Sequence, residues 1–94
     1  MKISCIIPAY NEESTITKVL ESVKKVKSIN EIIVVDDGSS DNTFRNSEMM
    51  GVKVLKHSVN KGKGAAIKTG VSHSSGNIIL FLDADLYSIS PKKI

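Results

Sequence analysis

An α/β fold with three layers and an open, mainly parallel sheet is predicted by three features of this sequence. Short apolar runs alternate with stretches of helical periodicity, in the order β-α-β-α-β-α-β. One run, Ile32-Ile33-Val34-Val35, is continuous and branched, as strands buried on both faces of a parallel sheet are. Turn residues such as Gly, Asn and Asp punctuate every junction, and helical crossovers between such strands are right-handed.

Lys2 to Ile7 forms the first strand, and Pro8-Ala9-Tyr10 turns the chain toward Asn11. Asn11 is a good helix N-cap, with Glu12 and Glu13 favourably placed in the first turn against the helix dipole. Ile16, Val19, Leu20, Val23 and Val26 recur at intervals of three and four, an apolar stripe opposite Lys18, Glu21, Lys24 and Lys25. The second strand, Ile32 to Val35, runs into Asp36-Asp37-Gly38-Ser39-Ser40, where Ser40 or Asp41 caps a short helix that Gly51 stops. Val52, Val54 and Leu55, broken by Lys53 and Lys56, read as a half-buried edge strand, which leaves the second strand interior. After Asn60-Lys61-Gly62-Lys63-Gly64 a helix passes through Ala65, Ala66, Ile67, Gly70 and Val71. Ser75-Gly76-Asn77 then turns into the fourth strand, Ile78 to Leu82, whose unbroken apolar run reads as the most buried segment. Ser90-Pro91 announces a further helix, so residues 1–94 are expected to be a single, truncated domain.

Composition narrows the function classes. A chain of 94 residues makes at most one domain with a modest core. The net charge of +3 is spread along the chain with no basic block, which argues against nucleic acid as a partner. No apolar run reaches the roughly 18 residues that span a bilayer, and no signal-peptide pattern precedes the first strand. Cys5, set among Ile3, Ile6 and Ile7, reads as a buried free thiol, in keeping with a cytoplasmic protein.

The chemistry gathers at the strand ends, where open α/β sheets bind ligands. Asp83 and Asp85 are separated by Ala84; on a strand they would share a face and repel each other unless a positive group intervened. A divalent cation such as Mg²⁺ or Mn²⁺ meets that need and commonly links one or two carboxylates to a substrate's phosphates. Asp36 and Asp37 form a second acidic strand end, open to two readings: turn formers, or acceptors for a base or ribose. Lys61-Gly62-Lys63-Gly64 fails the Walker pattern because Gly64 stands where Ser or Thr belongs. It also fails the dinucleotide fingerprint, which leaves either an anion-accepting helix start or a solvated turn. His57 and His73 lack partners at ligand spacing and read as surface residues.

Taken in order, Ile7-Pro8-Ala9-Tyr10-Asn11-Glu12, Val35-Asp36-Asp37-Gly38-Ser39-Ser40-Asp41, Asn60-Lys61-Gly62-Lys63-Gly64-Ala65-Ala66 and Asp83-Ala84-Asp85 resemble the nucleotide-binding half of inverting family 2 glycosyltransferases of GT-A fold. The similarity is greatest to enzymes that move a sugar from a nucleotide donor to dolichyl or polyprenyl phosphate. It implies a strand order of 3-2-1-4, which agrees with the edge and interior strands read above. It implies that Pro8, Ala9, Tyr10, Glu12, Asp36, Asp37, Lys63 and Asp83 bind a UDP- or GDP-sugar, and that Asp85, with Asp83, holds Mn²⁺ or Mg²⁺. The family's catalytic base is expected downstream of residue 94, so this chain is expected to bind a donor without completing catalysis, in a full-length form lying at the cytoplasmic face of a membrane. Two alternatives accompany this reading. One is an aspartate-nucleophile phosphatase, in which Asp-x-Asp usually follows the first strand. The other is a self-associating folding unit, because the fourth strand becomes an open edge if later strands are absent.

Overall fold

A computed structural model describes residues 1–85. The strands β1 (Ile3–Ala9), β2 (Glu31–Asp36), β3 (Lys53–Lys56) and β4 (Ile78–Phe81) form one parallel sheet in the order β3-β2-β1-β4, as expected. The helices α1 (Ile16–Lys24), α2 (Thr43–Met49) and α3 (Lys63–Ser72) are the crossovers. The Ser90-Pro91 helix signal lies outside the described residues.

Alternation along the two central strands builds two cores. Cys5, Ile7, Ala9 and Val34 face α1, where Ile16, Val19, Leu20 and Val23 bury the stripe read from the sequence. Each such side chain contributes about 1.5–3 kcal/mol of transfer free energy. Ile6, Ile33 and Val35 face the other way and pack on Ala66 of α3. Gly70 is what lets α3 lie so close: a Cβ there would stand 2.4 Å from Ile6 Cγ2.

Three expectations need correction. The first helix starts at Ile16, not after Asn11, because Asn11 adopts φ 53° and commits both its amide and its side chain to the neighbouring loop. The helix also ends before Val26, which is exposed. Finally, β4 is the least covered strand: Ile78, Leu80 and Phe81 are 37%, 42% and 52% exposed. Among the described residues it pairs only with β1, so its continuous apolar run marks an uncovered edge. Cys5 is buried and free, and no helix among the described residues is long and apolar enough to cross a membrane.

Candidate functional site

A hollow of about 410 Å³ opens at the carboxyl ends of β1, β2 and β4. Chain direction makes this the place where a ligand belongs: successive crossovers leave β1 toward β2 on one side and reach β4 on the other, a topological switch point. Pro8, Ala9, Tyr10, Glu12, Asp37, Lys63, Asp83 and Asp85 of the predicted set line the hollow. Asp36 does not; its carboxylate is fully buried, with Oδ1 accepting from the Ser39 amide at 3.3 Å and Oδ2 unpartnered. Asn60, Gly62 and Ala84 complete the lining. Asn60 and Gly62 belong to the glycine-rich loop that the sequence leaves open as an anion-accepting helix start or a solvated turn.

A clasp joins the loops that follow β1 and β2, and of its residues Glu12 lines the hollow. Asn11 Oδ1 accepts the Ser40 amide at 2.9 Å, the Glu12 amide donates to Thr43 Oγ1 at 2.8 Å, and the Glu13 amide donates to Asp41 Oδ2 at 3.3 Å. Glu13 answers by accepting the Asn42 amide at 3.0 Å. Burial pushes the Asp41 carboxyl upward, but the Thr43 hydroxyl and amide donating to it outweigh that and hold it below the ordinary range. Asn42, not the expected Ser40 or Asp41, occupies the cap position of α2, and Asp41 Oδ1 accepts the Thr43 amide from one residue further out.

One wall is pinned by Asp37. Its Oδ1 accepts from His57 Nδ1 at 2.7 Å and the Lys61 amide at 2.9 Å, and its Oδ2 from the Gly62 amide at 2.8 Å and Asn60 Nδ2 at 3.1 Å. Burial favours the protonated form, yet these donors prevail and the carboxyl lies below its usual range. Gly38 beside it must be glycine, since it sits at φ 75° with a Cβ position 2.5 Å from the Asn60 nitrogen. His57 is not the surface residue its sequence spacing suggests: it is 8% exposed, whereas His73 is exposed as expected. Only the tertiary placement of β3 beside β2 brings it to Asp37.

The opposite wall is the acidic turn. Strand β4 ends at Phe81, so Asp83 and Asp85 stand on a turn beyond the strand and not on its pleat. Ala84 between them is buried in the α1-facing core, and its carbonyl accepts from Thr15 Oγ1 at 2.7 Å. An anchored alanine thus leaves a carboxylate on each side, both lining the hollow. Lys63 Nζ lies 2.6 Å from Asp83 Oδ1, an exposed ion pair that raises the lysine's pKa. Glu12 is raised above the usual carboxylate range, first by burial and then by the charge of Asp85, against a hydrogen bond from Thr15; Asp41 and Asp83 add to the rise.

Around the hollow stand the four carboxylates Glu12, Asp37, Asp83 and Asp85 against one ammonium, Lys63. Such a site repels an anion unless a cation accompanies it. Among the described residues no three His, Cys, Asp or Glu side chains converge on one metal position. The donor set therefore suits a hard cation that takes one or two carboxylates and completes its shell with water and phosphate oxygens.

Pro8 and Ala9 are not the expected turn but the last residues of β1, paired with Val35 and Asp36. An open parallel sheet whose switch point carries this strand end, a buried acidic hub and an exposed Asp-x-Asp turn defines a glycosyltransferase-type domain of GT-A architecture. The chain belongs to glycosyl transferase family 2, whose sequence model matches residues 4–92. It is 39% identical over 97 residues to a dolichyl-phosphate beta-glucosyltransferase of Trichomonas vaginalis, covering 88% of this chain and 30% of that protein. It is 38% identical over 95 residues to the undecaprenyl-phosphate 4-deoxy-4-formamido-L-arabinose transferase of Proteus mirabilis, covering 90% and 29%. The crystal structure of glucosyl-3-phosphoglycerate synthase from Mycobacterium tuberculosis in complex with Mn²⁺, UDP and glucosyl-3-phosphoglycerate superimposes with a TM-score of 0.79 at 35% identity, over 88% of this chain and 33% of that one. The same enzyme is also known with Mg²⁺ and UDP. The chain thus spans about 30% of the length of the curated relatives it matches. Family membership, with Asp-x-Asp placed after the fourth strand, sets aside the phosphatase alternative.

Proposed function

We propose that residues 1–94 are the donor-binding part of a glycosyltransferase domain and hold a nucleotide-diphospho-sugar through Mn²⁺ or Mg²⁺. The observation that carries this reading is the charge of the hollow. A diphosphate is admitted to a site with four carboxylates and one lysine only as a complex with a divalent cation. Asp85, with Asp83, is the proposed metal ligand. Tyr10, half exposed at the rim, offers a ring to the base; Pro8, Ala9 and Glu12 shape the same side. Asp36, buried and outside the lining of the hollow, is not proposed to touch the donor; Asp37 shapes the base and ribose side through the wall it pins, and Lys63 is proposed to exchange Asp83 for a donor phosphate. When bound, the cation offsets the charge that develops on the leaving nucleoside diphosphate.

In the whole protein the sugar passes to an acceptor such as a polyprenyl phosphate or a saccharide, with inversion. The relatives that use dolichyl or undecaprenyl phosphate support the first. Such an acceptor is already anionic and makes a smaller demand on a general base; no residue of this chain is assigned that role. A cytoplasmic setting accords with the buried free thiol of Cys5. Melting of the protein with UDP or GDP, with and without Mn²⁺, tests the reading: nucleotide at 100 times Kd adds about 2.7 kcal/mol. A metal-dependent rise in Tm supports it, and no shift at millimolar nucleotide overturns it.

Among the described residues the outer edge of β4 has no partner strand, which supports a second proposal, that this chain self-associates by pairing β4 with a second copy. Exposed Ile78, Leu80 and Phe81 favour it. Sedimentation showing a monomer at all concentrations removes it; a dimer abolished by Leu80→Lys supports it.

A further inference from the structure

We infer that His57, which no motif reading assigns a role, is a positioning residue for the donor: through Asp37 it fixes the Asn60–Gly62 backbone that forms one wall of the hollow. The inference rests on the reading of the hollow as a nucleotide site.

His57 follows β3, and its amide donates to the Asp36 carbonyl at 2.8 Å, extending the β2–β3 ladder by one residue. This directs the imidazole inward, between the end of β2 and α3. There Nδ1 lies 2.7 Å from Asp37 Oδ1 and Nε2 lies 2.8 Å from Thr69 Oγ1. Asp37 is held ionised and can only accept, so Nδ1 carries a proton and donates to it, while Nε2 pairs with the Thr69 hydroxyl. One buried ring thereby joins three elements.

What the ring holds matters more than its own burial. Asp37 spends its remaining capacity on the Lys61 and Gly62 amides and the Asn60 side chain. These three consecutive residues lead into Lys63, and Asn60 and Gly62 themselves line the hollow. The carboxylate can serve all of them only in one orientation, and the His57 bond, its shortest, sets that orientation. Removing the imidazole frees Asp37 to rotate, so the loop loses the geometry that presents Gly62 and Lys63 to a ligand.

The geometry of substitutes separates this role from general packing. Asparagine places an N–H where Nδ1 stands and keeps the bond to Asp37; glutamine reaches only the Nε2 position near Thr69. Calorimetric titration of UDP in the presence of Mn²⁺ is expected to show affinity for His57→Asn within about threefold of the wild type, and a loss of tenfold or more for both His57→Gln and His57→Leu. Thr69→Val, which cuts the other end of the relay, is expected to change affinity less than threefold. Equal losses in the Asn and Gln variants, or no loss in either, overturn the inference, and this pair decides even if His57→Leu does not fold. Hydrogen exchange at Lys61 and Gly62 gives a ligand-free readout, expected to be faster in His57→Gln than in His57→Asn. If the wild type binds no nucleotide, the reading of the hollow fails; unchanged exchange at those amides then also overturns the positioning of the loop.

Discussion

Asp37 and the Asp83–Asp85 turn look alike in the sequence, as carboxylates that end a strand, but they differ in what satisfies them. Asp37 is buried and accepts from four donors of its own chain. Asp83 and Asp85 are exposed at the rim, where the Lys63 ammonium lies against Asp83. A buried carboxylate saturated by amides and side chains of its own chain builds the site, and one exposed at the rim is within reach of a ligand. The contrast separates scaffold from chemistry more sharply than either motif does.

Substitutions test that contrast in order of size. Asp37→Ala strands buried donors and is expected to cost about 3 kcal/mol in urea unfolding; a cost below 1 kcal/mol breaks the distinction. Acid has the same root. Asp37 and Asp41 have folded pKa values below the ordinary range, so their contribution is complete above the unfolded value and is lost as pH falls through the folded one. Wild-type stability should therefore fall as pH drops from the ordinary carboxylate value through the lowered folded one, and the Asp37→Ala profile should be flatter there. Lys63→Met removes an exposed ion pair and is expected to change stability by less than about 1 kcal/mol while weakening nucleotide binding several-fold. The reverse pattern would place Lys63 with the scaffold.

The smallest effect has the opposite sign. Glu12 has a raised folded pKa, so the folded state loses stability as pH rises from the unfolded value through the folded one. Glu12→Gln is thus expected to raise the neutral-pH Tm of the metal-free protein slightly, and Mn²⁺ to raise the wild-type Tm more than the variant's. A lowered Tm in metal-free Glu12→Gln would contradict the crowding of negative charge at the hollow.

Much of this was legible in the sequence because it rests on local periodicity. The α1 stripe and the Ile32–Val35 run announce which faces are buried, and Lys53 and Lys56 announce the edge at β3. What was not legible depends on partners far along the chain. Asn11 has the composition of an N-cap, but Ser39 and Ser40 claim it, and the helix starts at Ile16. His57 looks like any polar residue after a strand until the sheet register sets it against Asp37. The run Ile78–Phe81 gives hydrophobicity but not coverage, which the sheet order alone decides.

The most direct test of a metal-bridged hollow is UDP affinity in the presence and absence of Mn²⁺, for the wild type and for the double substitution Asp83→Asn and Asp85→Asn. A bridge requires that Mn²⁺ strengthen UDP binding to the wild type by tenfold or more and do nothing for the variant, with both proteins equally stable. Equal affinity in the two proteins, or binding indifferent to Mn²⁺, would contradict it.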